Sequence, residues 1–414
     1  MRSHLKNHDY RRKVKNMGKS TEKHLEELSR FERVEAAVNL KEADRVPVDP
    51  LNIYIHAYQG GVSLREFIYD PVKMVQATEK ARKILGETDQ VYPTMTAMNH
   101  LSLIPIAAFD QYTLRWEIFD EFPPKGNIPS FYEKKIIEDY DDVMERGFST
   151  LLFNRKIGKK TLQMSEDEIL YYAFEYPKLF AKEWRGFVER NKVPLTIGAR
   201  ACVPLDMVFY YRGMTQATKD LHECPSKVKE FCEWIIEHEV TVAKRHSHIM
   251  GAGEVPGADR ILYGAGIVGI PFLSPEMFDE FFYPTMKKGL DMMVKDGFTA
   301  HCHWDNDITL NLETLRGLTK GLPKGKVILD MGQTDMAKAK EILGDKLCLY
   351  GNVPSSLLIH GSVKDVKKYC KKLIEDCMEG GGFILSTECE TPWNAKPENV
   401  RAMLDSAREF GRYR

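Results

Sequence analysis

Residues Phe298 to Asp307 read FTAHCHWDND, a short apolar run that leads into two histidines and then into acidic and amide side chains. Strand side chains alternate between the two faces of a sheet, so His301 and His303 point the same way. Two imidazoles on one face at a strand end form half of a metal site, and neutral imidazole suits zinc, copper, iron or nickel. Asp305 and Asp307 offer acceptors that fix the ring tautomers of ligating histidines. The alternative is that one histidine packs in the core and the other faces solvent.

The composition narrows the class of protein. The chain has 414 residues, of which 43% are hydrophobic, enough for one large domain or two ordinary ones. With 59 basic and 60 acidic residues, the net charge of -1 gives no electrostatic reason to expect nucleic acid or a membrane as partner. No apolar run approaches a membrane span in length. The eight cysteines are scattered and no secretory signal is present, so we expect reduced thiols in a cytoplasmic protein.

The N-terminus is rich in Lys, Arg, His and Asn and has no hydrophobic segment. We predict that residues 1–28 form a flexible basic tail, either mobile or laid as an arm on the partner subunit of a homodimer. Residues 29–414 are then predicted to form a single folded domain.

Strand-like segments alternate with helical ones along this domain. The predicted strands lie near residues 47, 90, 195, 261, 300, 328, 348 and 384. Such alternation implies a parallel sheet, and about eight units favour a closed (β/α)8 TIM-type barrel with its active site at the C-terminal strand ends. A doubly wound open sheet is the alternative. The turn at 264–269 reads GxGxxG, but no helix start follows it directly, and a lone match is weak.

The regular succession of strands and helices is interrupted from about residue 107 to residue 172. Tyr112 to Phe122 alternates as a hairpin strand does, and three prolines punctuate the segment after it. Because no linker flanks the stretch, we predict an insertion after the second strand and not a separate domain.

The predicted barrel topology indicates a third metal ligand. Cys389 follows the last predicted strand, Phe383 to Thr387, and therefore lies at the same end as the two histidines. A thiolate and two imidazoles form a three-ligand zinc site with one open position, as catalytic zinc requires. Cys302 alternates to the opposite face. We therefore predict His301, His303 and Cys389 as zinc ligands and catalytic residues; the alternative for Cys389 is a small buried hydrophobe.

Substrate contacts are predicted in the loops that follow the strands. The segment from Leu51 to Gly61, predicted as a loop, and the segment from Asp206 to Gly213 are both rich in aromatic residues. Aromatic rings offer stacking area to a planar substrate, although the same residues fit loop packing equally well. The candidate substrate-binding residues are Tyr54, His56, Tyr58, Asn99, Arg200, Asp206 and Tyr210.

Three stretches carry a resemblance to a known family. They are ERVEAAVNLKEADRVPV at Glu32 to Val48, LSPEMFDEFFYPTMKKGLD at Leu273 to Asp291, and GGGFILSTECETPWNAKPENVRAMLDSAREFG at Gly380 to Gly411. They look like the first helix and strand, the fourth helix, and the last strand and helix of the uroporphyrinogen decarboxylase superfamily. That superfamily includes zinc-dependent corrinoid methyltransferases, and its fold is a (β/α)8 barrel.

Motifs separate the subgroups of this superfamily. The true decarboxylases carry an arginine-rich MRQAGR loop after strand one, whereas residues 52–59 here read NIYIHAYQ without an arginine. The resemblance therefore argues against porphyrin decarboxylation. The members that methylate a thiol carry His-x-Cys and a later Cys; His301 and Cys389 match, and His303 replaces the middle cysteine. Neutral imidazole in place of a thiolate leaves zinc more positive and better suited as a Lewis acid on oxygen.

The resemblance thus implies a zinc-dependent methyltransferase that cleaves a methyl ether, such as a methoxylated aromatic compound, and passes the methyl group to Co(I) of a corrinoid. The chain has no DxHxxG cobalamin motif, so the corrinoid is expected on a partner protein. The related aryl-ether demethylases carry a Glu separated from the histidine by twenty residues, and Glu280 stands at that spacing before His301. Their earlier Glu would fall at Ala265, so the match is partial. Its mid-helix position fits an exposed or helix-pairing carboxylate better. The alternatives are a methylcobalamin:thiol methyltransferase, a uroporphyrinogen decarboxylase-like enzyme, and a barrel that binds metal or a corrinoid protein without turnover.

Overall fold

A parallel sheet of six strands organises the computed structural model, which describes residues 28–94, 137–147, 171, 174–265 and 273–414. The strands pair in sequence order and every pair is parallel. Their bounds are β1 Ala199–Cys202, β2 Arg260–Ala265, β3 Thr299–Trp304, β4 Val327–Met331, β5 Cys348–Val353 and β6 Phe383–Thr387.

Two further segments complete the sheet into a ring. Val48 forms a parallel bridge with Leu385 on β6, and Val91 forms one with Leu195, just before β1. The backbone N–H of Asp89 donates to the carbonyl of Val48 at 2.9 Å, which joins these two segments to each other. The six strands and the two segments together give the eight positions of a (β/α)8 barrel, and this confirms the predicted fold class.

Helices follow the strands and cover the outside of the ring. In the first half of the chain they are α1 Arg30–Val38, α2 Tyr54–Gly60, α3 Leu64–Tyr69, α4 Pro71–Leu85, α5 Tyr140–Arg146, α6 Tyr176–Asn191, α7 Pro204–Arg212 and α8 Met214–Glu223. In the second half they are α9 Pro225–Met250, α10 Pro275–Met277, α11 Tyr283–Lys295, α12 Leu312–Leu318, α13 Met336–Leu343, α14 Ser355–His360, α15 Val363–Cys377 and α16 Pro397–Phe410. A π-helical turn, Phe278–Phe282, joins α10 to α11, and a 3-10 turn covers Thr309–Asn311.

The alternation of side chains along β3 separates its two faces. Cys302 packs in the large apolar cluster between the sheet and the outer helices. His301 lies between Leu262 and Ile328 in strand register, and those two residues belong to the other apolar cluster. His303, two residues further along, therefore shares the face of His301, as the sequence predicted.

Two element assignments made from the sequence are wrong. Residues 51–61 were expected to form a loop, but α2 occupies most of them and ends at Gly60; the φ of 73° at Gly61 suits a left-handed C-cap. The third strand was expected at 193–198, whereas the regular ladder of β1 begins at Ala199. The preceding residues form scattered backbone hydrogen bonds to both sides, with Pro194 contributing only its carbonyl.

Several sequence predictions fall outside the described residues. These are the tail up to residue 27, most of the insertion apart from residues 137–147 and 171, and the greater part of the glycine-rich turn at 264–269. Within the described ranges, no helix combines the length and apolar character that crossing a bilayer requires. All eight cysteines are described, and none forms a disulfide.

Candidate metal centre

His303 is the centre of a polar group at the C-terminal end of β3. Its Nδ1 lies 2.6 Å from Oδ2 of Asp330, the residue opposite it on β4. Its Nε2 lies 3.0 Å from Oδ1 of Asp305 and 3.7 Å from Sγ of Cys389. One ring nitrogen thus meets a buried carboxylate, while the other faces a carboxylate and a thiol.

His303, Asp305 and Cys389 form a set of ligand-type atoms that lie within 4.8 Å of one another. Among the residues that the structure describes, this is the group with the composition and spacing of a metal site. An imidazole nitrogen, a carboxylate oxygen and a thiolate sulfur are all donors that zinc accepts. The Asp330–His303 contact reproduces the carboxylate that commonly orients a ligating histidine through its second nitrogen. The donor set therefore fits zinc.

His301 lies deeper in the barrel than this group. Its side chain is fully buried, its Nε2 is 3.8 Å from Oδ2 of Asp330, and its ring meets that of Tyr350 edge-on at 4.9 Å. Within the described part of the chain, neither ring nitrogen of His301 has a hydrogen-bond partner. Burial lowers the pKa of His301, against the effect of Asp330, so the ring is held as neutral imidazole.

The expected ligand set and the observed group thus differ in one member. The sequence predicted His301, His303 and Cys389, and the structure brings the last two together with Asp305. Asp305 was expected only as an acceptor for a histidine. Asp305 directly follows the end of β3 and stands two residues beyond His303, the spacing that places side chains on one face of a strand.

The ionisable side chains of this group shift one another's pKa values. Burial opposes protonation of His303, but the carboxylates of Asp330 and Asp305 raise its pKa well above the usual range. Burial likewise opposes ionisation of Asp305, while the charges of His303 and Arg200 lower the pKa of that carboxyl. Burial and the charge of Asp305 raise the pKa of the Cys389 thiol to about 12. A bound cation would reverse this last effect, because metal coordination deprotonates a thiol.

Asp330 is a site residue that the sequence analysis missed. It is completely buried near the end of β4, and only the pairing register of the sheet places it opposite His303. The available signal was a carboxylate near the end of the strand that follows the His-x-His strand. Trp393, four residues after Cys389, was also missed.

Tyr54, His56 and Tyr58, which follow the first predicted strand near residue 47, differ in their contacts and burial. The ring of Tyr58 is 45% exposed and meets the ring of Trp393 at a centroid distance of 4.9 Å and an angle of 64°. The backbone N–H of Tyr54 donates to the carboxyl of Glu390. His56 is buried, and burial together with the nearby charge of Arg82 lowers its pKa to about 3, so it fits a packed neutral histidine better than a substrate contact.

The other residues predicted to contact substrate differ in where the structure places them. Arg200 lies on β1, and its positive charge contributes to lowering the pKa of Asp305. Asp206 is fully buried in α7. Asn99 and the side chain of Tyr210 lie outside the described residues.

Glu280 does not join the metal group. It lies in the π-helical turn after α10, where its half-exposed carboxylate forms an ion pair of 2.6 Å with Lys229 of α9. This is the helix-pairing carboxylate that its mid-helix position favoured.

The fold and the site together define a (β/α)8 barrel with a candidate metal centre at the C-terminal ends of its strands. Residues 159–410, more than half of the chain, match the family described as Uroporphyrinogen decarboxylase (URO-D), and the chain belongs to that family. No curated protein sequence matches it.

The solved structures that are similar to this chain include a methyltransferase and a methionine synthase. A methyltransferase from Methanosarcina mazei is 18% identical with a TM-score of 0.66, and the match covers 93% of this chain and 99% of that protein. A B12-independent methionine synthase from Shewanella sp. W3-18-1, solved in complex with selenomethionine, is 12% identical with a TM-score of 0.37, over 56% of this chain and 67% of that one. The first agrees with the barrel closed by the hydrogen bonds described above.

Proposed function

We propose that this barrel is a zinc-dependent methyltransferase that takes the methyl group from a methyl ether and delivers it to a corrinoid on a separate protein. The observation that supports the proposal most directly is the convergence of Asp305 and Cys389 on Nε2 of His303. The similarity of the fold to the Methanosarcina methyltransferase supports the same reaction class. The chain has no DxHxxG motif, so the corrinoid would arrive with its own carrier protein.

Zinc would be held by His303 and Cys389, and two residues compete for the third position. Asp305 is favoured by its distances in the structure. His301 is favoured by the His-x-His pattern and by its two buried ring nitrogens, which have no hydrogen-bond partner in the described part of the chain. Zinc with three protein ligands leaves one position for substrate.

The residues around the site would prepare it for an ether oxygen. A zinc ion bound there would supply Lewis acidity toward the departing oxygen, which otherwise leaves poorly. With His301 as the third ligand, His303 and His301 would both be neutral donors, and the site would carry less negative charge than one with a second thiolate. Asp330 fixes the ring of His303 through Nδ1. Tyr58 and Trp393 would offer apolar ring surface to a planar methoxylated aromatic donor.

Metal analysis tests the site. We expect about one zinc per chain, as for a mononuclear site. The variants His303→Ala and Cys389→Ala should lose the metal while the barrel stays folded, because neither side chain belongs to the apolar clusters of the barrel. Comparing His301→Ala with Asp305→Ala identifies the third ligand, since only the true ligand should be needed for tight binding. Full zinc occupancy in a triple variant of His301, His303 and Cys389 would overturn the assignment.

An activity assay tests the reaction. Methoxylated aromatic compounds are offered together with a reduced corrinoid protein, and the cobalt spectrum reports conversion of Co(I) to methyl-Co(III). We expect transfer of the methyl group and no decarboxylation of uroporphyrinogen. Brisk methylation of small thiols with no reaction of any methoxy compound would replace the ether proposal by a thiol methyltransferase. Formation of coproporphyrinogen at a useful rate would show a decarboxylase instead.

A further inference from the structure

Cys389 lies between two glutamates that each contact the first residue of a helix. Oε1 of Glu388 accepts a hydrogen bond from the backbone N–H of Ser355, the first residue of α14, at 2.8 Å. Oε1 of Glu390 accepts one from the backbone N–H of Tyr54, the first residue of α2, at 3.2 Å. The two carboxyl groups therefore tie both sides of the cysteine to neighbouring parts of the barrel.

Both helices depend on these glutamates for side-chain capping. The N-cap residues of α2 and α14 are Ile53 and Pro354, and neither provides a side-chain hydrogen bond. Several other helices of the described chain cap themselves with a Ser or Asp at this position; they are α1, α3, α4, α5, α13 and α15. A free backbone N–H at a helix start is normally satisfied by such a side chain. α2 and α14 instead receive a capping oxygen from Glu390 and Glu388, the residues on either side of Cys389.

Further hydrogen bonds fix the backbone of residues 387–391, the segment that contains Cys389. The N–H of Glu388 donates to the carbonyl of Val353, and the N–H of Thr391 donates to the carbonyl of Leu51 at 2.8 Å. The hydroxyl of Thr387 donates to the carbonyl of Cys389 at 2.5 Å. The position of the Cys389 thiol is thus set by contacts to the ends of two other strands.

We propose that Glu388 and Glu390 are positioning residues that aim the Cys389 thiolate at the metal position beside Nε2 of His303. The inference rests on the proposed metal site and adds a role that the ligands alone do not explain. A carboxyl on either side fixes the loop against rotation, because each hydrogen bond reaches a different helix. Losing one of them would let the sulfur turn away from the imidazole, which lies 3.7 Å from it.

The test uses the full-length protein loaded with Co(II) in place of zinc. Thiolate-to-cobalt charge-transfer absorption reports whether Cys389 is bound, and competition with a chromophoric chelator gives the affinity. Glu388→Ala and Glu390→Ala are expected to weaken the charge-transfer band and to lower affinity about tenfold or more, as loss of residues that support a ligand does. Glu388→Gln and Glu390→Gln should restore both, because the amide oxygen accepts the same hydrogen bond.

Asp365→Ala is the matched control. Asp365 completes the capping box of α15 with Ser362, so its loss also removes a carboxylate from a helix start, but far from Cys389 in the chain. It should lower Tm and leave the cobalt spectrum and affinity unchanged.

Three outcomes would count against the proposal, and they are distinguishable. Alanine variants with the wild-type spectrum and affinity would overturn the positioning role alone. Glutamine variants as weak as the alanine variants would overturn the hydrogen-bond explanation. A wild-type cobalt spectrum that does not change on Cys389→Ser would overturn the metal site itself, and the positioning role with it.

Discussion

At the scale of single residues, the two nitrogens of His303 divide the site into a supporting side and a binding side. Asp330 contacts Nδ1 at 2.6 Å, and the candidate ligands face Nε2. A proton on Nδ1 leaves the lone pair of Nε2 free for a metal, so Asp330 selects the tautomer that can bind. We therefore expect metal binding at the proposed site to depend on Asp330, which does not touch the metal position.

Changing Asp330 to Asn should weaken metal binding. The amide keeps the shape of the side chain but removes the charge that orients the imidazole, so we expect zinc affinity to fall about 10- to 100-fold. Competition with a chelator measures the affinity. Asp345→Asn is a suitable control, because that carboxylate is half exposed and pairs with Arg316 at the surface. Equal affinities for the Asp330 variant and the wild type would show that Asp330 does not orient the ring.

Changing His303 to Cys should separate metal binding from reactivity. Zinc accepts a thiolate at this position, so its content should stay near that of the wild type. The added negative charge should reduce the pull on the ether oxygen. We expect kcat for ether demethylation to fall on the order of tenfold, about 1.4 kcal/mol of transition-state stabilisation. Demethylation as fast as in the wild type would exclude His303 as the tuning residue.

The sequence predicted part of this site for a clear physical reason. His301 and His303 share a face because strand alternation is local, and both are where alternation places them. Asp330 was not predictable in this way, since its contact with His303 depends on the register between β3 and β4. Asp305 continues the same spacing of two residues, so alternation alone does not show whether His301 or Asp305 lies beside Cys389; that depends on where the loop after β6 places the thiol.

At the scale of elements, a buried ionic network joins three helices. Nε of Arg212 on α7 lies 2.6 Å from Oδ2 of Asp220 on α8, and the hydroxyl of Tyr140 on α5 donates to the same oxygen at 2.7 Å. The guanidinium also donates to the carbonyls of Ile137 and Glu138. This network fixes the described part of the predicted insertion, residues 137–147, onto the barrel.

Replacing Asp220 by Asn should destabilise this region. The change leaves the buried charge of Arg212 without its partner, which typically costs about 3–5 kcal/mol. Thermal unfolding should show a clear fall in Tm, whereas Glu223→Gln, an exposed change at the end of the same helix, should not shift it. An Asp220 variant with the Tm of the wild type would contradict a stabilising role for the network.

Some helices carry a local sequence signal that predicts where they begin, and others do not. α4 begins at Pro71 after the capping carboxylate of Asp70, and α16 begins at Pro397; both carry a local start signal in the sequence. α2 was missed, because the carboxyl at its first turn comes from Glu390, 336 residues away. A helix whose start is stabilised across the barrel carries no local capping signal.

At the scale of the whole molecule, Asp49 joins four parts of the barrel wall. Its Oδ2 accepts hydrogen bonds of 2.7 Å from the hydroxyls of Thr196 and Tyr350, and its carbonyl accepts one of 2.7 Å from Ser386. Thr196 precedes β1, Tyr350 is on β5 and Ser386 is on β6. The ring of Tyr350 also contacts the ring of His301, so this network reaches a residue of the proposed metal site.

The charge state of Asp49 should make the stability of the barrel depend on pH. Burial raises the pKa of Asp49 from 3.8 to about 7. The stability that the protonated carboxyl provides is therefore fully present below pH 4 and is lost as the pH rises through 7. Each unit of pKa difference corresponds to about 1.4 kcal/mol, so the total effect is a few kcal/mol.

Asp49→Asn isolates this effect, because the amide oxygen can accept the same hydrogen bonds and does not ionise. Near pH 4 we expect the variant and the wild type to have similar Tm values, and above pH 7 we expect the variant to be the more stable of the two. Glu239, whose pKa burial raises to about 8, titrates in both proteins and cancels in the comparison. Asp405→Asn, at an exposed position on α16, should follow the wild type throughout. A constant difference in Tm between the Asp49 variant and the wild type from pH 4 to pH 9 would mean that Asp49 is already ionised in the folded barrel, and that its hydrogen bonds to Thr196 and Tyr350 offset the cost of burying the charge.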